Sequence, residues 1–217
     1  AAAFTDMLAS HTIVPRTKKQ WRAGLEALVS GRPLSLTAFD DDAVRRAVTD
    51  VMARQRVACA YAFSGQMAPY LPAGVRRVMD FVDADSAKFV AYAADARGPM
   101  RWMLAREARL LAAFERSVAA AVDASLFVSA EEAALVPGGQ PLENGIDAGF
   151  FDPAASFAPV EAPGVPLIVF TGQMDYRPNV EAVTAFVRDM MPQLPAAHFA
   201  IVGRAPTPSV RALAGER

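Results

Sequence analysis

The chain has 217 residues, 53% of them hydrophobic, and its 22 Lys and Arg against 23 Asp and Glu leave a net charge of −1. That is enough apolar material for a core in one large domain or two small ones, and the charge is too balanced to collect nucleic acid over the whole surface. A single cysteine, Cys59, excludes an internal disulfide and suits a reducing compartment, and no apolar run approaches the roughly 18 residues of a transmembrane helix. Ala1 to Ser10 carry Asp6 and no basic leader, so the expected place is cytoplasmic, without secretion or an anchor. The opening Ala1-Ala2-Ala3 without methionine, and an end at Arg217 just after a helical pattern, predict a piece cut from a longer protein.

From Arg16 to Ser30 basic and apolar residues mix, with Trp21, Leu25, Leu28 and Val29 at helical spacing before Gly31-Arg32-Pro33, which predicts a surface helix and turn. Asp40, Asp41 and Asp42 suit the positive end of a helix dipole, and Val44, Ala47, Val48, Val51 and Met52 form one apolar face for packing on a sheet. Three short apolar runs follow, Val57 to Phe63, Val75 to Val82 and Ser125 to Ser129. Each has strand length without polar alternation, so each is predicted to lie in a parallel sheet, with Cys59 packed in the core. Between the last two, Lys88 to Ala94 and Arg101 to Val122 set Trp102, Met103, Leu110, Leu111, Phe114 and Val118 among Arg101, Arg106, Glu107, Arg109, Glu115 and Arg116, an amphipathic pattern interrupted at Gly98-Pro99.

From Pro137 to Pro166 the chain is rich in Pro and Gly, holds Asn144-Gly145 and has no sustained period, which predicts a crossing between domains. Beyond it come a strand at Leu167 to Thr171, a turn through Gly172, a helix from about Asn179 to Met191, a strand at His198 to Val202 ending in Gly203, and a helix from Pro208. The helix face Val180, Val183, Thr184, Val187, Met190, Met191 follows the 3.6 period, and the segment reads as β-α-β. Strands alternating with helices predict an α/β fold with two Rossmann-like halves and parallel sheets. Gly172 and Gly203 then fall at the carboxyl edge of the second sheet, where open α/β sheets bind ligands and helix N-termini favour phosphate. Neither belongs to a GxGxxG run, and plain turn glycines are an equal alternative.

Two stretches point to a family. Asp123-Ala124-Ser125-Leu126-Phe127-Val128-Ser129-Ala130-Glu131-Glu132-Ala133, followed by Glu143-Asn144-Gly145-Ile146-Asp147-Ala148-Gly149-Phe150-Phe151-Asp152-Pro153, resembles retaining GT-B glycosyltransferases of the family 4 type. Thr171-Gly172-Gln173-Met174-Asp175-Tyr176-Arg177-Pro178-Asn179, with Ile201-Val202-Gly203-Arg204 after it, is similar more narrowly to bacterial sugar transferases of exopolysaccharide and PEP-CTERM gene clusters. The resemblance runs from about Arg16 onward. It implies residues 1–143 as the later part of an acceptor-side Rossmann-like domain, 144–165 as the interdomain linker, and 166–217 as the opening β-α-β of a nucleotide-sugar domain. It also implies that the first units of the acceptor domain and most of the nucleotide domain, with a donor-gripping carboxylate pair spaced eight apart, lie outside this chain.

The implied activity is metal-independent transfer of a hexose from a nucleoside-diphosphate sugar, a substrate rather than a cofactor, to a glycan or lipid-linked acceptor in cell-surface polysaccharide synthesis, with retention. Such a reaction needs cations and aimed N–H donors for the departing diphosphate. The donor-side candidates are Gly172, Gln173, Arg177, Gly203 and Arg204; the family commonly has Arg and Lys where this chain has Gln173 and, nearby, Pro178, so Arg204 ranks first as a substitute and Arg177 second. On the acceptor side Asp80, Asp83 and Asp85 cluster after a strand, with Asp83 and Asp85 on one side if the strand continues. Asp83 is the first candidate for a general base, while Asp85 with Ser86 is also suited to capping a helix beginning near Ala87. Asn144, Gly145 and Asp147 are hinge candidates, Asn144-Gly145 inviting a turn with positive φ, or they form a plain linker turn. The basic stretch Arg97 to Arg116, with Arg16, Lys18, Lys19 and Arg22, either contacts anionic membrane or simply covers the sheet. His11 and His198 are remote from each other and no metal site is expected. A sugar-nucleotide epimerase and a non-catalytic sugar- or partner-binding module are the alternatives.

Overall fold

The computed structural model describes residues 7–156 and 164–215. The chain divides into two compact units, Ala1–Ile146 and Asp147–Arg217. The fold is α/β, with four parallel strands in the first unit and two in the second.

Unit 1 begins with α1 (Gln20–Ser30), which stops at Gly31 in the left-handed conformation, φ 69°. A short α2 (Leu34–Thr37) leads to α3 (Asp42–Arg54), capped by the Asp41 carboxylate accepting from the Ala43 N–H at 2.8 Å. The predicted apolar face of α3 does not pack down on a sheet: none of its residues is fully buried. Strand β1 (Cys59–Phe63) pairs with β2 (Arg76–Val82) across a 3₁₀ turn at Gly65–Tyr70. After β2 come α4 (Asp85–Asp95) and α5 (Gly98–Ala119), where Gly98-Pro99 starts the second helix because proline's missing N–H costs nothing in a first turn. Strand β3 (Ala124–Phe127), α6 (Ala130–Ala134) and β4 (Gly139–Pro141) complete the order β1-β2-β3-β4.

The core lies on the central strands. Phe127 is fully buried and stacks on Phe81 with centroids 5.0 Å apart, and Met79, Ala84, Val136, Phe114 and Val118 close around them. Truncating Phe127 to alanine in such a site costs about 3–5 kcal/mol. The outer strand differs from expectation. Among the described residues β1 has a hydrogen-bonded neighbour on one side only, and Cys59, Tyr61 and Phe63 are exposed, so Cys59 is a surface thiol rather than a core residue.

Unit 2 contains β5 (Leu167–Thr171), α7 (Arg177–Ala185), β6 (His198–Val202) and α8 (Pro208–Arg211). The predicted helix to Met191 leaves the α pattern at Ala185 and continues as a π turn, Phe186–Met190, and a 3₁₀ turn, Met191–Gln193, in which Pro192 removes a helical donor. Met174, Val183 and Val210 are buried against Phe170, Val180, Phe199 and Ile201. Part of the predicted crossing, 157–163, lies outside the described residues. Among those described, no helix is long and apolar enough to cross a membrane.

Candidate functional site

At the end of β2 the chain does not run straight. The pairing with β3 shifts register between Asp80 and Val82, and Val82 adopts φ 69°, an unusual position for a β-branched residue. The Asp80 carboxylate accepts from the Val82 N–H at 3.0 Å and from the Tyr61 hydroxyl, and its backbone carbonyl accepts from the Ser64 N–H at 2.8 Å. Partial burial, the bond to Asp80 and the Asp80 charge push the Tyr61 pKa up to about 12. The strand therefore ends at Val82, and strand alternation is not what relates Asp83 to Asp85.

A cation brings them together instead. Lys88, one turn into α4, places Nζ 2.5 Å from Asp83 Oδ2 and 3.3 Å from Asp85 Oδ1. Partial burial opposes the Lys88 charge, but the bond to Asp83 and the negative charges of Asp85 and Asp83 outweigh it and raise its pKa above the ordinary lysine value. The second oxygen of Asp85 accepts from Gln66 Nε2 at 3.0 Å. Both oxygens of Asp85 are engaged, whereas among the described residues Asp83 is held through Oδ2 alone, and its carboxylate is about one-third exposed, 34%. Of the two acids, Asp83 is the one with an oxygen free to accept a proton.

Asp85 is not the helix cap anticipated from sequence. The helix starts at Asp85 itself after Ala84, and the capping carboxylate comes from α5: Glu115 accepts from the Ser86 N–H at 2.9 Å and the Ser86 hydroxyl at 2.5 Å. Eight residues earlier, Glu107 accepts from the Leu34 and Ser35 N–H groups, each at 2.8 Å, at the start of α2. Both glutamates are buried, 3% and 5% exposed, and they satisfy donors that the helix starts leave open. Burial raises the Glu115 pKa; the Ser86 bonds pull the other way, and the Asp85 and Glu132 charges add to the rise.

The carboxyl edge of unit 2 is built from backbone. Beyond the paired strands the ladder continues, with the Gly172 N–H donating to Val202 O at 3.0 Å and the Met174 N–H to Arg204 O at 2.9 Å. A Cβ on Gly203 would stand 1.7 Å from the Gly172 carbonyl oxygen, and one on Gly172 would stand 2.7 Å from Asn179 Nδ2. Gly203 is thus required by the close approach of the two loop backbones, whereas Gly172 faces only the Asn179 side chain of α7; neither glycine is at positive φ. On this base Arg204 Nη2 donates to Gln173 Oε1 at 2.7 Å, and Gln173 Nε2 to Asp175 Oδ1 at 2.6 Å. Arg177 Nε lies 2.6 Å from Glu181 Oε1, one turn along α7.

Neither Asn144 nor Gly145 forms the anticipated positive-φ turn; the chain is irregular there, and Gly145 has no left-handed φ. The turn comes later, under Asp147, whose Oδ1 accepts from the Gly149 and Phe150 N–H groups at 3.1 and 2.9 Å and whose carbonyl accepts from Phe151 at 2.9 Å. A side chain satisfying two successive amides fixes a turn more firmly than glycine permissiveness does.

No protein-family model matches this chain, and no curated protein matches it. The geometry adds residues the sequence reading passed over. Lys88 follows Asp85 by three residues, a spacing that helical periodicity could have supplied, whereas Asp83 lies before the helix and its pairing with Lys88 could not be read that way. Gln66 and Tyr61 reach the same loop from β1 and its turn, and no local pattern marks them.

Proposed function

We propose that this protein is a retaining glycosyltransferase on the two-domain GT-B plan of the family 4 type. It moves a sugar from a nucleoside-diphosphate donor to a glycan or lipid-linked acceptor in exopolysaccharide synthesis. The carrying observation is the placement of Arg204. It stands at the carboxyl end of a parallel strand pair, beside the run Thr171 to Asn179 that resembles the family, and is oriented by Gln173, with no ion pair to a carboxylate among the described residues. A guanidinium so held is aimed without being neutralised, which suits charge that develops on a departing diphosphate. Arg177, already paired with Glu181, is the weaker candidate.

The acceptor side of this reading belongs to unit 1. There Asp83 Oδ2 is anchored by Lys88, leaving Oδ1 to orient an acceptor hydroxyl or receive its proton. Asp85 and Gln66 hold the Lys88 end of the loop. The test is titration of nucleotide sugars into the full-length protein. Arg204→Ala is expected to weaken donor binding by about tenfold, roughly 1.4 kcal/mol. An unchanged dissociation constant would remove Arg204 from the site.

A further inference from the structure

Charge is distributed unevenly over the strand ends. In unit 1 the segments that leave β1 to β4 are 64–70, 83–88, 128–134 and 142–146. The first is uncharged, and the other three together hold the acids Asp83, Asp85, Glu131, Glu132 and Glu143 against the single cation Lys88. These segments meet at one edge. Gln66 Nε2 donates to Asp85 Oδ2 at 3.0 Å, the Ala84 N–H donates to the Glu132 carboxylate, and the Leu142 N–H donates to Phe127 O at 2.7 Å, which brings Glu143 to the end of β3. Lys88 is already shared, with Nζ 2.5 Å from Asp83 and 3.3 Å from Asp85. Unit 2 differs: after β5 and β6 come Asp175 and Arg204, and Arg204 forms no ion pair with a described residue.

Other groups register the acids of unit 1. Burial is the largest cause of the raised Glu115 pKa, and the charges of Asp85 and Glu132 add to it. Burial opposes the Lys88 charge, yet the bond to Asp83 and the charges of Asp85 and Asp83 raise its pKa. An edge that favours a proton on a glutamate and a charge on a lysine disfavours a further anion.

Hydroxyl groups are the converse case. An ionised carboxylate only accepts hydrogen bonds, and a sugar hydroxyl has one to donate. Asp83 Oδ1 has no partner among the described residues and stands ready for such a donor. A phosphate on the same ring would bring roughly −1.5 to −2 charges to an edge whose one lysine is engaged twice. We infer that the acceptor taken at this edge presents an uncharged, hydroxyl-bearing glycan end, and that a sugar phosphorylated on the reacting ring is excluded. The inference rests on the sugar-transfer reading and narrows its acceptor. A lipid-linked acceptor fits only where intervening sugars hold its diphosphate beyond a Debye length, about 8 Å at physiological salt, from these acids.

The test is saturation-transfer NMR on the full-length protein, with methyl glycosides of glucose, galactose and mannose set against the corresponding sugar 1-phosphates. An Arg204→Ala background removes phosphate capture by unit 2. The best methyl glycoside is expected to bind at least about tenfold more tightly than its 1-phosphate, with the ratio shrinking as salt rises to about 1 M. Asp83→Asn should weaken the methyl glycoside about tenfold, which locates it at this edge. Glu131 and Glu143 are exposed and form no ion pair with a described residue. Glu131→Gln with Glu143→Gln should therefore leave the methyl glycoside unchanged and strengthen the 1-phosphate about threefold to tenfold. A 1-phosphate bound as tightly as its methyl glycoside, a ratio unmoved by salt or by the paired glutamines, a methyl glycoside indifferent to Asp83→Asn, or no binding of either class would each overturn the inference. Nucleotide-sugar titration of the native protein keeps two failures apart. Donor bound with the 1-phosphate preferred sinks this inference alone, whereas no nucleotide sugar bound sinks the transferase reading and the inference with it.

Discussion

The two sheets end in different materials. In unit 1 the carboxyl edge is held by side chains: Asp80 fastens the bulge at Val82, Lys88 joins Asp83 to Asp85, and Glu115 caps the following helix from beneath. In unit 2 it is held by backbone, the Gly172 and Gly203 loops lying so close that no Cβ fits at Gly203. A side-chain edge can lose one charged group and keep its course, because the remaining bonds still fix the loop. A backbone edge tolerates change only in what stands on it, here Gln173 and Arg204.

That contrast can be broken most visibly at Gly203. Gly203→Ala forces apart two hydrogen-bonded loops and is expected to cost about 3 kcal/mol, the upper end of overpacking effects. It should be read as a lower midpoint in urea unfolding followed by a probe in unit 2. An unchanged midpoint would show that the loops separate easily and that the edge is not rigid. In unit 1 the corresponding substitution should separate function from fold. Asp83→Asn is expected to lower kcat about a hundredfold, as for loss of a general base, with little change in thermal midpoint. Asp85→Asn, whose oxygens are both occupied internally, should affect turnover less; equal losses would dissolve the distinction between the two acids.

The smallest effect concerns Glu115. Its pKa is raised on folding, so the folded protein holds this proton more tightly than the unfolded chain does. The stabilising contribution is complete below the ordinary glutamate pKa, about 4.3, and is lost as pH rises through the raised value. Glu115→Gln removes this dependence. The stability of the native protein relative to the variant should therefore fall as pH rises through that window, measured by denaturant unfolding at several pH values. A difference that stays constant or grows with pH contradicts the assignment.

Much of the framework was legible because its elements are local. Leu167 to Thr171 and His198 to Val202 are strands with the limits that their apolar runs mark, and the 3.6 period located α7 but ran past its end at Ala185, where the π turn begins. What stayed hidden depends on neighbours distant in sequence. Cys59 is exposed with Tyr61 and Phe63 at alternate positions of β1, on one uncovered face of the strand, and no feature of the run Val57 to Phe63 encodes which face is covered. β4 escaped notice because Gly139-Gln140-Pro141 carries no β-branched or aromatic residue and is a strand only through its pairing with β3. Glu107 and Glu115 looked like solvent-facing charges, yet they share an i, i+4, i+8 line with buried Leu111, a clue that the period itself contained. Asp83 and Asp85 were identified as neighbours for the wrong reason: the bulge at Val82 breaks the strand, and Lys88 restores the juxtaposition.

The most direct measurement compares two arginines. Nucleotide-sugar titration of the full-length protein should give a dissociation constant about tenfold higher for Arg204→Ala and nearly unchanged for Arg177→Ala, because Arg204 is oriented by a neutral amide and Arg177 is paired with an acid. Equal affinities in both variants and the native protein, or a loss confined to Arg177→Ala, would contradict a donor site built on the Gly172 and Gly203 loops.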